Sequence, residues 1–316
     1  MGPKPEHPEL NERLPLVPET PAALEAYLKN KELRYNVKPN NEARVIWNDD
    51  SMRRKTEYAV VYLHGFSASQ MEGDPVHRRF AKNFGCNLFL PRLSDHGIDT
   101  TETLLLFTGD RFWNSAKEAL AIGQELGEKV ILISTSSGGT LALMLAAKFP
   151  DQVHVLINLS PNIALKDPAA FILNDPWGLH IARAVMGGKN REPGFTEEEA
   201  KFWNKKYRIE SLVQLEELLE ASMNPETFRL ISQPTLTLYY YKSEQEQDPQ
   251  VKVSAMLKMH DQLSTPDSLK VAVAMPAAGA HVLGSSMTSA DIEGVYAEME
   301  KFAVHKLHMT TVNSLP

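Results

Sequence analysis

Val130-Ile131-Leu132-Ile133-Ser134-Thr135-Ser136-Ser137-Gly138-Gly139-Thr140-Leu141-Ala142-Leu143-Met144-Leu145 reads as a buried β-strand, a turn of six small or polar residues, and an apolar helix. A turn that sharp lifts its central residue clear of the sheet and strains its backbone, so the residues two before and two after it must be small. Ser134 and Gly138 meet that demand around Ser136. A helix that starts at once after the serine also aims free backbone N–H groups at the space above it. The same string could be a polar turn that only caps the next helix. Ser134 and Ser137 compete as the exposed hydroxyl, but only Ser136 has small residues on both sides, with Gly139 easing helix–strand packing.

Outward from this stretch, β-rich apolar runs alternate with amphipathic segments, the pattern of an α/β protein with a mostly parallel central sheet flanked by helices. Strands are expected at residues 43–47, 58–63, 87–90, 130–134, 153–159, 235–241 and 269–274. Helices are expected at 22–31, 76–84, 111–126, 140–149, 253–263 and 290–307. The rhythm breaks between residues 163 and 232, where charged amphipathic segments at 197–207 and 209–222 stand between Pro/Gly punctuation. An inserted helical cap is expected there, because the strands resume afterwards as though the sheet had only been interrupted. The expected organisation is an N-terminal arm and short helix at 1–42, a core formed by 43–162 with 233–316, and a cap insertion at 163–232. Residues 1–21 are rich in proline and charge, so an extended or mobile arm is expected, packing late if at all.

Composition narrows the partners. The chain has 316 residues, 43% of them hydrophobic, and a net charge of -7. That is enough for a sizeable core and lacks the basic surplus that phosphate backbones require, so nucleic acid is not an expected partner. The single cysteine, Cys86, forms no intramolecular disulfide, which suits a reducing compartment. No run approaches the length of a membrane span, and no apolar leader stands at the start. A cytoplasmic location is the default expectation; a secreted or periplasmic mature form would read the same. Nothing resembles His-Glu-x-x-His, paired Cys-x-x-Cys or a dinucleotide-binding glycine fingerprint, so neither metal nor organic cofactor is expected.

A serine hydroxyl is a poor nucleophile until an imidazole accepts its proton. Of ten histidines, His281 in Ala278-Gly279-Ala280-His281-Val282-Leu283 follows the last expected strand and precedes the last helix. The imidazole in turn needs a carboxylate, and Glu244, Glu246 and Asp248 crowd the loop after residues 235–241. Asp248 is preferred because Pro249 and Val251 suit a turn that fixes an acid, with Glu244 the second choice. His64-Gly65-Phe66-Ser67 ends an early strand. There the N–H of Phe66 is expected to converge with that of Ser137 on an oxyanion, while His64 is expected to be structural.

These residues resemble the α/β-hydrolase superfamily, and within it the serine carboxylesterase and monoacylglycerol-lipase-like members with a helical cap. The likeness runs from about Tyr58 to Leu307 and includes Pro91-Arg92-Leu93-Ser94-Asp95-His96-Gly97, similar to the family's Leu-Pro-Gly-His-Gly turn. The chain departs from the pattern at Asp95 and Ser134, where glycine is usual, and serine at the elbow disfavours members with an aspartate nucleophile. The resemblance implies a Ser136–Asp248–His281 triad, an acyl-enzyme on Ser136, and its hydrolysis by water that His281 activates. It implies a carboxylesterase or lipase-like enzyme acting on small-molecule acyl esters of small or medium chain. Acyltransferase, thioesterase or peptidase activity through the same triad, or a catalytically silent binding protein, are the alternatives. Trp177, Met186 and Trp203 in the cap are candidates to line an acyl pocket, as are Phe171 and Phe195, though most such residues serve as cap core.

Overall fold

The computed structural model describes residues 2–312. Helix α1 (Pro21–Glu32) and strand β1 (Arg44–Ile46) precede β2 (Thr56–Leu63), α2 (Val76–Asn83), β3 (Asn87–Leu90), α3 (Gly109–Leu126), β4 (Gly127–Thr135), α4 (Ser137–Lys148) and β5 (Val155–Leu159). The chain continues through α5 (Gly178–Val185), β6 (Asn190–Arg191), β7 (Tyr207–Arg208), α6 (Glu210–Ser222) and α7 (Pro225–Phe228). It closes with β8 (Thr235–Tyr239), α8 (Val253–Gln262), β9 (Lys270–Ala274) and α9 (Ile292–Leu307).

Seven strands form one sheet in the order β1-β3-β2-β4-β5-β8-β9. Within this sheet, among the described residues, β1 runs antiparallel to β3 and the other pairings are parallel. Parallel strands need crossover helices on both faces, and the central strands are accordingly apolar on both. Ala59, Val61 and Leu63 of β2, with Val130 and Leu132 of β4, pack among α1, α3, α4, α6 and α8. The alternate residues Val60, Tyr62, Ile131 and Ile133 face α2 and α9. Side chains alternate across a strand, so each central strand serves both cores.

The strand order also locates a crevice. From β2 the chain steps outward to β3, then returns past β2 to β4, so the loops leaving β2 and β4 diverge to opposite faces. Ligands bind in open α/β sheets at such a switch point, beyond the carboxyl ends of the strands. His64-Gly65-Phe66 and Ser136 stand at those two ends.

Two local expectations are overturned. The expected helix at 197–207 is a single 3-10 turn, Glu199–Lys201, after which Tyr207 enters β7. Thr196 and Glu199 cap each other and start the turn, but the Asn204 N–H donates to the Ser67 carbonyl, 2.8 Å away, so the helix stops. Tyr207 pairs instead with Arg191 in a two-residue antiparallel ladder. Helix α5, which the sequence reading did not contain, occupies part of the preceding stretch.

The N-terminal arm is extended, as its prolines demand, but it is docked. Leu10, Leu14 and Val17 pack against the core. The Trp113 indole N–H donates to the Asn11 carbonyl at 2.7 Å, and the Lys117 ammonium to the Arg13 carbonyl at 3.0 Å. Composition alone missed this because the partners belong to α3, a hundred residues on. No helix among the described residues is long and apolar enough to cross a membrane.

Candidate active site

Ser136 sits between the last residue of β4 and the first of α4 with φ 53 and ψ -122. That conformation is left-handed and unfavourable for a residue with a Cβ, and it persists only where the surroundings impose it. They do so here. The Ser136 N–H donates to the Leu159 carbonyl at 3.1 Å, and its own carbonyl accepts from the N–H groups of Gly139 and Asn162, both at 2.8 Å. A Cβ on Gly138 would lie 2.0 Å from the Leu63 carbonyl oxygen. Glycine there lets α4 abut the end of β2.

Both departures from the usual family pattern acquire reasons. Ser134, fully buried, donates from Oγ to Asn158 Oδ1 at 2.8 Å, on the adjacent residue of β5. That hydrogen bond offsets the cost of burying the hydroxyl. Asp95 has φ 65, the conformation that favours glycine, and aspartate tolerates it better than most residues. Its carboxylate is held by the Arg111 guanidinium through two bonds of 2.7 and 2.8 Å.

His281 lies in the loop between β9 and α9 and is buried. Its Nδ1 is 2.7 Å from Asp248 Oδ2. With Nδ1–H donating to that carboxylate, the lone pair of Nε2 is free, and Nε2 is buried without a hydrogen-bond partner among the described residues. Asp248, fully buried, also accepts at Oδ1 from the N–H groups of Gln250 and Val251, at 2.8 and 3.0 Å. Burial pushes the Asp248 carboxyl up, but the His281 charge and these bonds outweigh it and hold it below its usual value. Burial likewise pushes the His281 imidazole down, and the charges of Asp248 and Glu72 overcome it, leaving it raised. Glu244 is elsewhere: it is exposed and accepts from the Tyr241 hydroxyl at 2.9 Å. Glu246 bonds Tyr240 and Lys242.

Ser136 and His281 line one cavity of about 720 Å³, within the range that holds a drug-sized ligand. Phe66 borders it, and Ser137 opens α4, so its N–H belongs to the first turn, which has no partner within the helix. Its walls include Leu165, Phe195, Trp203, Leu212, Leu215 and Val251, most of them from the segment between β5 and β8. Trp203 thus lies where a pocket residue belongs. Trp177 and Met186 do not border the cavity: Trp177 is 53% exposed, and Met186 follows the last residue of α5. Phe171 is exposed as well. Spacing and residue type could not separate these from Trp203, because which side chain turns inward depends on contacts with residues distant in sequence, such as the Asn204 N–H on the Ser67 carbonyl.

His64 is fully buried. Its Nδ1–H donates to the Gly65 carbonyl at 2.9 Å, and its Nε2 accepts from the Leu93 N–H at 3.1 Å. Burial holds its pKa well below the ordinary value, so it joins two loops as a neutral imidazole. Among the described residues, no cluster of three or more His, Cys, Asp or Glu side chains is placed to hold a metal ion.

Sequence reasoning passed over Glu72. It lies in the 3-10 turn Gln70–Gly73, is 2% exposed, borders the cavity, and accepts the Gly65 N–H. Its burial is invisible in a stretch that reads as an ordinary polar loop. Burial raises this carboxyl to about 7, against the opposing pull of the Gly65 N–H and His281. A carboxyl whose folded pKa exceeds its unfolded value of 4.5 costs stability as pH rises from 4.5 to 7. Glu72→Gln is therefore expected to raise the stability of the protein at pH 8 by on the order of 3 kcal/mol and to leave it nearly unchanged at pH 4. Chemical denaturation at the two pH values checks this; an equal change at both would remove ionisation as the cause.

A switch-point cavity fed by a strand-end serine and a buried His–Asp pair places the molecule in the class of α/β proteins built around a strained serine turn. The chain belongs to the alpha/beta hydrolase family, whose sequence model matches residues 60–297. No curated protein matches the sequence. Among solved structures, one from work on the metagenome-derived lipolytic enzymes LipS and LipT superposes with a TM-score of 0.67 at 16% identity, covering 84% of this chain and 98% of its own. A soluble variant of the monoglyceride lipase of Saccharomyces cerevisiae gives 0.61 at 13% identity over 84% and 91% of the two chains. Est1E of Butyrivibrio proteoclasticus, with ferulic acid bound, gives 0.56 at 16% identity over 87% and 99%. At these identities the likeness is one of fold.

Proposed function

We propose that the chain is a serine hydrolase that cleaves carboxylic esters of small or medium acyl chain, with Ser136 as nucleophile, His281 as base and Asp248 as its carboxylate partner. The observation that carries this reading is that His281, whose buried Nε2 has no hydrogen-bond partner among the described residues, lines the same cavity as a serine held in a strained turn. Ser136 Oγ attacks the ester carbonyl as Nε2 takes its proton, and the Asp248 carboxylate stabilises the imidazolium. The N–H groups of Phe66 and Ser137 donate to the carbonyl oxygen as negative charge develops on it. His281 then protonates the departing alcohol, and water activated by the same imidazole releases the acid from Ser136.

The apolar wall contributed by Leu165, Phe195, Trp203, Leu212 and Leu215 suits an acyl chain, and makes residues 163–232 a cap whose side chains select it. The structural neighbours described as lipolytic enzymes and a monoglyceride lipase support an ester substrate. Steady-state hydrolysis of p-nitrophenyl esters from acetate to decanoate, alongside labelling by a fluorophosphonate, tests the assignment. Labelling at Ser136 and turnover that peaks within the series are expected. Activity confined to amides, or to transfer of an acyl group onto an acceptor other than water, would overturn the ester assignment.

A further inference from the structure

Gly65 is pinned from both sides of its backbone. Its carbonyl accepts from His64 Nδ1 at 2.9 Å and from the Ala68 N–H at 3.4 Å, which fixes the Gly65–Phe66 peptide and so the direction of the Phe66 N–H. Its N–H is taken by the Glu72 carboxylate. The same carboxylate lies 3.5 Å from the Tyr62 hydroxyl, which donates to Thr135 Oγ1 at 2.9 Å, one residue before Ser136. A Cβ placed on Gly65 would meet Glu72 Oε1 at 2.8 Å and the Ser136 Cβ at 3.0 Å, so carboxyl and serine crowd the same small residue. Glu72 thus touches the turn after β2 directly and the elbow after β4 through one hydroxyl.

We propose that Glu72 is a positioning residue of the reaction: it clamps the turn that presents the Phe66 N–H to the substrate and places a second carboxyl, beyond that of Asp248, on the cavity that Ser136 and His281 line. The proposal rests on the serine-hydrolase reading above. The 3-10 turn Gln70–Gly73 is capped by the Ser69 hydroxyl, so the Glu72 carboxyl is not used to cap its own turn. That carboxyl is buried against the cavity wall, and once ionised, above about pH 7, it opposes an oxyanion and favours the imidazolium, so its charge bears on both. The titratable groups around the pair are few. Tyr62 comes from β2, Asp248 and Glu72 face His281, and Asp74 is felt at Tyr62. His77 of α2 packs edge-on against the Tyr62 ring, with burial lowering it to about 3.

The test uses Glu72→Ala and Glu72→Gln in the full chain, with p-nitrophenyl acetate as substrate, kcat and KM determined separately, and kcat/KM followed across pH. Glutamine keeps an acceptor for the Gly65 N–H and removes the charge; alanine removes both. Alanine is expected to lower kcat about 10- to 100-fold with KM within about threefold, part of the loss seen when an oxyanion donor is removed outright. Glutamine is expected to restore plateau kcat to within about fivefold of wild type while the acid limb of its profile moves to lower pH. Should alanine fail to fold, the glutamine profile decides. An unmoved acid limb in the glutamine variant, or equal loss of kcat in both variants, overturns the proposal. Wild-type protein that a fluorophosphonate does not label at Ser136 overturns the hydrolase reading, and the role of Glu72 with it.

Discussion

Ser136→Ala is expected to lower ester hydrolysis by about ten-thousand- to million-fold and to abolish fluorophosphonate labelling, with the fold intact. The size follows from the chemistry. Without Oγ no acyl-enzyme forms, and what remains is attack by water on an ester held by the cavity and its N–H donors. Integrity of the fold is expected because the elbow is pinned by backbone groups, the Ser136 N–H on Leu159 and the Ser136 carbonyl on Gly139 and Asn162. Alanine keeps all of them and has the same Cβ in the same strained conformation. Labelling together with a thermal melt checks both halves, and a variant that still turns over at a tenth of the wild-type rate would sink the assignment of Ser136.

Asp248→Asn is expected to be the next most damaging change, at about a thousand- to ten-thousand-fold in kcat. Asparagine can retain the turn bonds to Gln250 and Val251, but it removes the charge that favours imidazolium and offers His281 Nδ1 either an acceptor or a donor. The wrong choice leaves the proton on Nε2, where it cannot take one from serine. Because the Asp248 charge raises His281, its loss is also expected to shift the acid limb of kcat/KM to lower pH. Glu244→Ala is expected to stay within about twofold of wild type, since its carboxylate bonds Tyr241 at the surface. A pH–rate profile of the two variants separates the candidates, and the reverse ranking would return the acid to Glu244.

The two predictions lean on different parts of the molecule. Ser136 depends on local backbone geometry, whereas the acid depends on how a loop from β8 meets a loop from β9. Segment 163–232 joins them: Lys166 donates from its N–H to the Gln250 carbonyl and from Nζ to the Asp248 carbonyl, at 2.9 and 2.7 Å. The segment thereby fastens the Asp248 loop as well as walling the cavity. Contacts of this kind, eighty residues apart, are set by packing and leave no local trace.

The sequence by itself determined the α/β architecture, the strand–serine–helix turn and the order of Ser136, Asp248 and His281 along the chain. Those features are local: they rest on apolar periodicity, on glycine where a helix must abut a strand, and on small residues around a strained turn. Only the tertiary structure decided that Trp203 borders the cavity and Trp177 does not, that the proline-rich arm docks on α3, and that Glu72 is buried beneath Gly65. Each of these turns on whether a polar or aromatic side chain is removed from water by residues distant in sequence. Burial changes what such a side chain can do, raising the Glu72 carboxyl and leaving the Nε2 of His281 without a partner, and no spacing along the chain encodes it.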